Sequence, residues 1–153
     1  MASDKLNKLL ANVQRFNDEL ISYIQDSINE NSAYIVNMNA TDQLYELGVN
    51  TLGVSIADYA PYSPMTVEIK KEKGQPYNRV TLQDTGEFHA SFYVDVRADE
   101  FEIMASDWKT EKLARQYGDD IFGLTYKNKM EVAWEYTYPD LLKKEKEVLY
   151  AGL

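Results

Sequence analysis

Asp84, Glu87 and His89 lie close together, and a carboxylate beside an imidazole is the pairing that general acid–base catalysis uses. No nucleophile, metal-ligand set or oxyanion donor accompanies them in the sequence. The plainer expectation is structural: Asp84-Thr85-Gly86-Glu87 is a turn into a helical segment, its acidic side chains near the positive helix end. His89 then reads as a surface or boundary side chain. It is the only histidine, which leaves no His-His zinc spacing and no two-histidine dyad. The chain has no cysteine, hence no disulfide, thiolate metal site or cysteine nucleophile.

Two stretches have the glycine spacing of a phosphate loop, Gly48 to Ser55 and Gly118 to Thr125. Each lacks the lysine that reaches the β- and γ-phosphates, with Val54 and Leu124 in its place. The second also sets Asp119 and Asp120 where phosphates would lie. That acidic pair reads as a solvated turn, because no further oxygen ligands follow at calcium-loop spacing. No catalytic residue, cofactor or metal is expected. Lys70, Lys71, Lys73 and Arg79, interleaved with Tyr77, form the one local basic cluster. They read as a charged loop that discourages edge pairing, or as a phosphate-facing patch.

At 153 residues the chain is expected to be a single domain, 1–153, large enough to build a core unaided. Hydrophobic residues are 44% and charged residues 27%, a globular composition. Sixteen Lys and Arg against 25 Asp and Glu give a net charge of −9, which argues against a coat for phosphate backbones. No apolar run reaches membrane-spanning length, and the start has no signal-peptide pattern, so no membrane partner is expected. Tyrosine is over-represented, 12 against 5 Phe and 2 Trp. Tyr59, Tyr62 and Tyr77 fall in or beside loops and join no inward period. They read either as packing on their own domain or as a subunit interface.

The elements that must carry these residues read as α+β. Leu6, Leu9, Leu10, Val13, Phe16, Leu20, Ile24 and Ile28 recur at helical steps, predicting an amphipathic helix over 3–30 with Ser3 as its cap. Tyr34-Ile35-Val36 reads as a short strand, 40–47 as a short helix stopped by Gly48, and 50–64 as irregular. Met65, Val67 and Ile69 alternate with polar residues like a half-buried strand, and Arg79–Leu82 reads as another. Phe92, Val94 and Val96 followed by Phe101 and Ile103 predict a hairpin at about 91–104, in a small, mostly antiparallel sheet. Residues 110–117 read as a helix stopped by Gly118. Thr125 caps a helical segment 126–150, and Pro139 breaks or kinks it.

Thr81-Leu82-Gln83-Asp84-Thr85-Gly86-Glu87-Phe88-His89-Ala90-Ser91-Phe92 resembles the signature of tailed-phage virion-morphogenesis and tail-completion proteins. Its motif positions are Leu82, Asp84, Thr85, Gly86, Phe88 and Ser91. Ala114-Arg115-Gln116-Tyr117-Gly118 followed by Ile121-Phe122-Gly123-Leu124-Thr125 is similar to the family's second landmark, with Gly118, Phe122 and Gly123 as its marks. The resemblance covers a core of 65–135 and is nearest to small proteins of Bacteroides-type and crAss-like phages. Phe88 stands where leucine is usual, and Asp119-Asp120 where a Pro-Arg pair often stands.

The resemblance implies a non-enzymatic virion structural protein, made in the host bacterial cytoplasm. It would form a homo-oligomeric ring of roughly 12 or 6 copies at the portal–tail junction or in the tail, joining head to tail. Its partners would be other neck, portal-adaptor or tail proteins, with DNA contact at most transient in a channel. The competing expectation is a small acidic phage inhibitor of a host enzyme that mimics DNA. Basic residues mixed among the acids, as in Lys143-Lys144-Glu145-Lys146-Glu147, weaken it.

Overall fold

The computed structural model describes residues 1–153. Helix α1 (Ala2–Glu30) follows the apolar stripe, but its N-cap is Met1 with no side-chain hydrogen bond, so Ser3 is not the cap. Asn31 ends α1, and α2 (Ser32–Asn37) begins at once, running without a break into a π-helical stretch, Met38–Leu47. The strand expected at Tyr34–Val36 is therefore helix. A three-residue apolar run does not separate the two periods, and here Ile35 must share a buried side with Met38 and Leu44. Gly48, at φ +64, ends the helix in the left-handed conformation, as its position predicted.

After the short helix α3 (Ile56–Tyr59), a second expected strand is again helical: α4 spans Pro64–Glu72. Ser63 caps it by accepting a hydrogen bond from the Thr66 amide, and Pro64 occupies the first turn, where its missing N–H costs nothing. The alternation of Met65, Val67 and Ile69 is incidental, since Met65 and Ile69 are exposed while Lys70 is buried. Arg79–Leu82 joins no sheet: the chain bends at Arg79, and Leu82 takes a left-handed φ, +57. Its backbone is served by side chains instead: Tyr62 Oη accepts from the Thr81 amide at 3.0 Å, and Lys70 Nζ donates to the Gln83 carbonyl at 2.8 Å.

A single-turn helix α5 (Glu87–Ala90) leads into β1 (Phe92–Val96) and β2 (Phe101–Ala105). These two antiparallel strands are the whole sheet. Val94 lies opposite Ile103 and Val96 opposite Phe101, so the inward faces coincide as the alternation predicted. Helix α6 (Thr110–Tyr117) stops at Gly118, and a 3₁₀ turn, Asp119–Ile121, follows. Thr125 caps α7 (Tyr126–Glu131) through its hydroxyl and the Asn128 amide.

A π-helical segment, Val132–Thr137, then joins α7 to α8 (Tyr138–Leu149). Pro139 lies just past this segment, so the expected break takes the form of widened turns ahead of the residue that lacks an N–H. Helix α8 returns antiparallel along α1. Ser27 Oγ donates to Asp140 at 2.6 Å near one end, and Asn12 Nδ2 donates to the Leu149 carbonyl at 3.0 Å near the other. The deepest core side chains are Ile35, Leu44, Ile56 and Ile121, drawn from three separate stretches of the chain.

Candidate functional site

The stretches 81–92 and 114–125, separated in sequence, meet in space. Phe88 and Phe92 pack edge to face with centroids 5.0 Å apart, and Phe122 joins both at 6.2 and 5.5 Å. Gly86 takes φ +92, where a side chain is strained, and so turns the chain into α5. Leu82, buried beside this turn, also has a positive φ, +57. Ser91 Oγ donates to the Phe88 carbonyl at 2.8 Å and accepts from the Asp107 amide at 3.0 Å, tying α5 to the lead-in of α6.

Asp84, Glu87 and His89 are not brought together. Asp84 accepts from Lys73 Nζ at 2.7 Å, and that hydrogen bond holds its carboxyl below the usual carboxylate range. Glu87 is exposed. His89 lies against the Phe88 and Phe92 rings with its Nε2 buried and without a partner. Burial pushes its pKa down to about 4, with the Thr81 backbone pulling weakly the other way. An imidazole so placed is neutral at pH 7 and has no carboxylate to orient it.

Both phosphate-loop lookalikes have most of their amides committed within the fold. Asn39 and Gln43, one turn apart on the π-helical stretch and fully buried, clamp the second loop. Asn39 Oδ1 accepts from the Gly123 amide and Asn39 Nδ2 donates to the Ile121 carbonyl, each at 2.9 Å. Gln43 Oε1 accepts from the Thr125 amide at 2.9 Å while its Nε2 donates to the Gly123 carbonyl at 2.9 Å. In the first loop Asn50 Oδ1 accepts from the Leu52 and Val54 amides, and the Thr51 amide donates across to the Asp120 carbonyl at 2.9 Å. The loops dock on each other, with Gly123 so near Thr51 that a Cβ there would stand 2.9 Å from Cγ2. This clamp is a site of folding chemistry that sequence reasoning missed. Its one signal was two side-chain amides four residues apart, Asn39 just ahead of the helix predicted over 40–47 and Gln43 within it.

The basic cluster does not form one free face. Lys70 is only 7% exposed, its ammonium over the Tyr62 ring and bonded to Gln75 and Gln83. Lys71 pairs with Glu68 beneath the Tyr77 ring, and Lys73 pairs with Asp84. Arg79 donates to the Tyr45 carbonyl at 2.7 Å. Of the loop tyrosines, Tyr62 packs against the core, while Tyr59 and Tyr77 are exposed. The Tyr59 hydroxyl still donates to the Tyr117 carbonyl at 2.8 Å.

Apolar side chains are also exposed on α1 and the C-terminal helices. Leu6, Leu10 and Ile21 of α1 are each more than half exposed, as is Trp134, and Tyr138 is nearly so. Between these helices and the hairpin runs a groove of about 460 Å³, floored by Ile24 and Ile28 and walled by Phe101, Trp134, Tyr138 and Leu141. The stripe on α1 was legible in sequence; that one partner helix covers only part of it was not. Trp108 and Tyr126 are exposed as well. No helix is long and apolar enough to cross a membrane. Comparison with family models, with curated proteins and with solved structures finds no match.

Proposed function

We propose that the chain is a non-enzymatic structural subunit of a tailed-phage virion, closing into a ring at the portal–tail junction or in the tail. It is made in the host cytoplasm and meets other neck, portal-adaptor or tail proteins. The observation that carries this reading is the exposed aromatic and apolar surface around Trp134, Tyr138 and the outer side of α1. Patches of this kind mark surfaces that association covers. Support also comes from the resembling stretches, whose motif residues serve packing: Phe88 and Phe122 in one aromatic cluster, and Gly118 and Gly123 in the clamped loop. Those roles stabilise a rigid building block.

Quantitative mass spectrometry of purified phage particles tests the proposal, beside electron microscopy of a phage lacking the gene. A fixed copy number set by ring symmetry is expected, with DNA-filled heads and no functional tail in the deletion. Absence from particles together with normal particles in the deletion would overturn it and favour the inhibitor of a host enzyme.

A further inference from the structure

We propose that the uncovered half of the α1 apolar face is covered by the same face of a second copy of this chain, the two helices antiparallel about a two-fold axis at Asn17. This draws on the same exposed face as the ring reading but goes beyond it by naming what covers that face in the free chain, and it is tested apart from the virion. Helix α8 meets α1 on the side of Asn12 and Ser27, where the interhelical hydrogen bonds lie. At 3.6 residues per turn Leu6, Leu10, Val13, Ile21, Ile24 and Ile28 share the neighbouring arc, with the exposed Asn17 at its middle. The exposed parts of Leu6, Leu10, Val13, Ile21, Trp134 and Tyr138 amount to on the order of 700 Å². The groove floor adds to this, reaching the area each partner contributes to a standard interface.

The shape of the face fits its own copy. The groove lies over the C-terminal half of α1, and the protruding side chains, Leu6 and Leu10, lie on the N-terminal half. Antiparallel pairing about Asn17 sets Leu6 opposite Ile28, Leu10 opposite Ile24 and Val13 opposite Ile21. Each copy then inserts one ridge and receives one, as an isologous contact requires.

Charge stays off the contact. Residues 1–15 carry Lys5, Lys8 and Arg15 against Asp4, whereas residues 16–30 carry Asp18, Glu19, Asp26 and Glu30 with no lysine or arginine. This polarity runs against the helix macrodipole, which favours acids at the N-terminal end and bases at the C-terminal end. At 100° per residue all of these charges lie off the arc centred on Asn17, so the contact would bury no charge of α1. A lipid surface fits poorly, since helices that lie on membranes carry bases along their polar face.

The chain has no cysteine, so single thiols can be introduced cleanly. Asn17→Cys should give a linked dimer with a short thiol–thiol cross-linker, and Arg15→Cys, pointing away from the face, should not. Sedimentation should show a concentration-dependent dimer in the wild-type chain. Leu10→Glu should weaken it by roughly 30-fold or more while leaving the circular dichroism unchanged, because Leu10 is already exposed. A wild-type chain that stays monomeric at hundreds of micromolar would overturn the proposal. So would equal linking at positions 15 and 17, or a ladder of larger species from Asn17→Cys. Virion composition reads out the ring separately, so either idea can fail alone.

Discussion

Among the side chains whose pKa departs clearly from its ordinary value, His89 is displaced furthest. It is held at about 4 in the fold against an ordinary 6.5, because burial disfavours the imidazolium. Between those values the unfolded chain takes up a proton that the folded chain refuses, so stability falls as pH drops from 6.5 towards 4. The full difference corresponds to about 3 kcal/mol, and urea midpoints across that range measure it. His89→Leu should flatten the slope above pH 5, where few carboxylates titrate. Gln43 carries a different burden: its removal leaves the Thr125 amide without a partner and loosens the docked loops. Gln43→Ala should cost about 3 kcal/mol in denaturant unfolding, whereas Glu87→Gln, on an exposed side chain, should change stability by less than about 0.5 kcal/mol.

Among the elements, the hairpin is the part whose sequence pattern and structure agree residue by residue. Alternation fixed its inward face, and the polar loop Arg97-Ala98-Asp99-Glu100 fixed its register through the Arg97 amide and the Glu100 carbonyl. Its two inward anchors should nevertheless respond unequally. Ile103 is buried opposite Val94, so Ile103→Ala should cost about 3 kcal/mol by opening a cavity. Phe101 stands half-buried at the groove wall, and Phe101→Ala should cost about half as much. Equal losses would mean that the groove is closed in solution. The helices that were read as strands, α2 and α4, differ from the hairpin in physical kind. Each had a short apolar run compatible with two periods, and α4 was settled by the Ser63 cap and Pro64, local signals outweighed by a false alternation.

At the scale of the whole molecule, the deepest packing joins Ile35, Leu44, Ile56 and Ile121, while the N-terminal half of α1 contributes nothing to that core and is hydrogen-bonded to the C-terminal segment through Lys8 and Asn12. Hydrogen exchange in the dilute chain should therefore find amides of Lys5 to Leu10 opening far faster than those of Ala40 to Leu44, and comparable protection would show α1 to be as firmly held as the core. By itself the sequence determined the α+β class, the long amphipathic N-terminal helix, the hairpin and its inward face, the cap at Thr125, the stop at Gly118 and the break before Pro139. All of these rest on steric and hydrogen-bonding preferences of residues near one another in the chain. Only the tertiary structure decided that the phosphate-like loops are clamped by Asn39 and Gln43, and that Lys70 is spent on the backbone at Gln83 rather than left free for an anion. It also decided that α8 covers one half of the α1 stripe and leaves the other bare. Each of these depends on which distant group arrives within a few ångströms, and a one-dimensional pattern of side-chain types does not contain that distance.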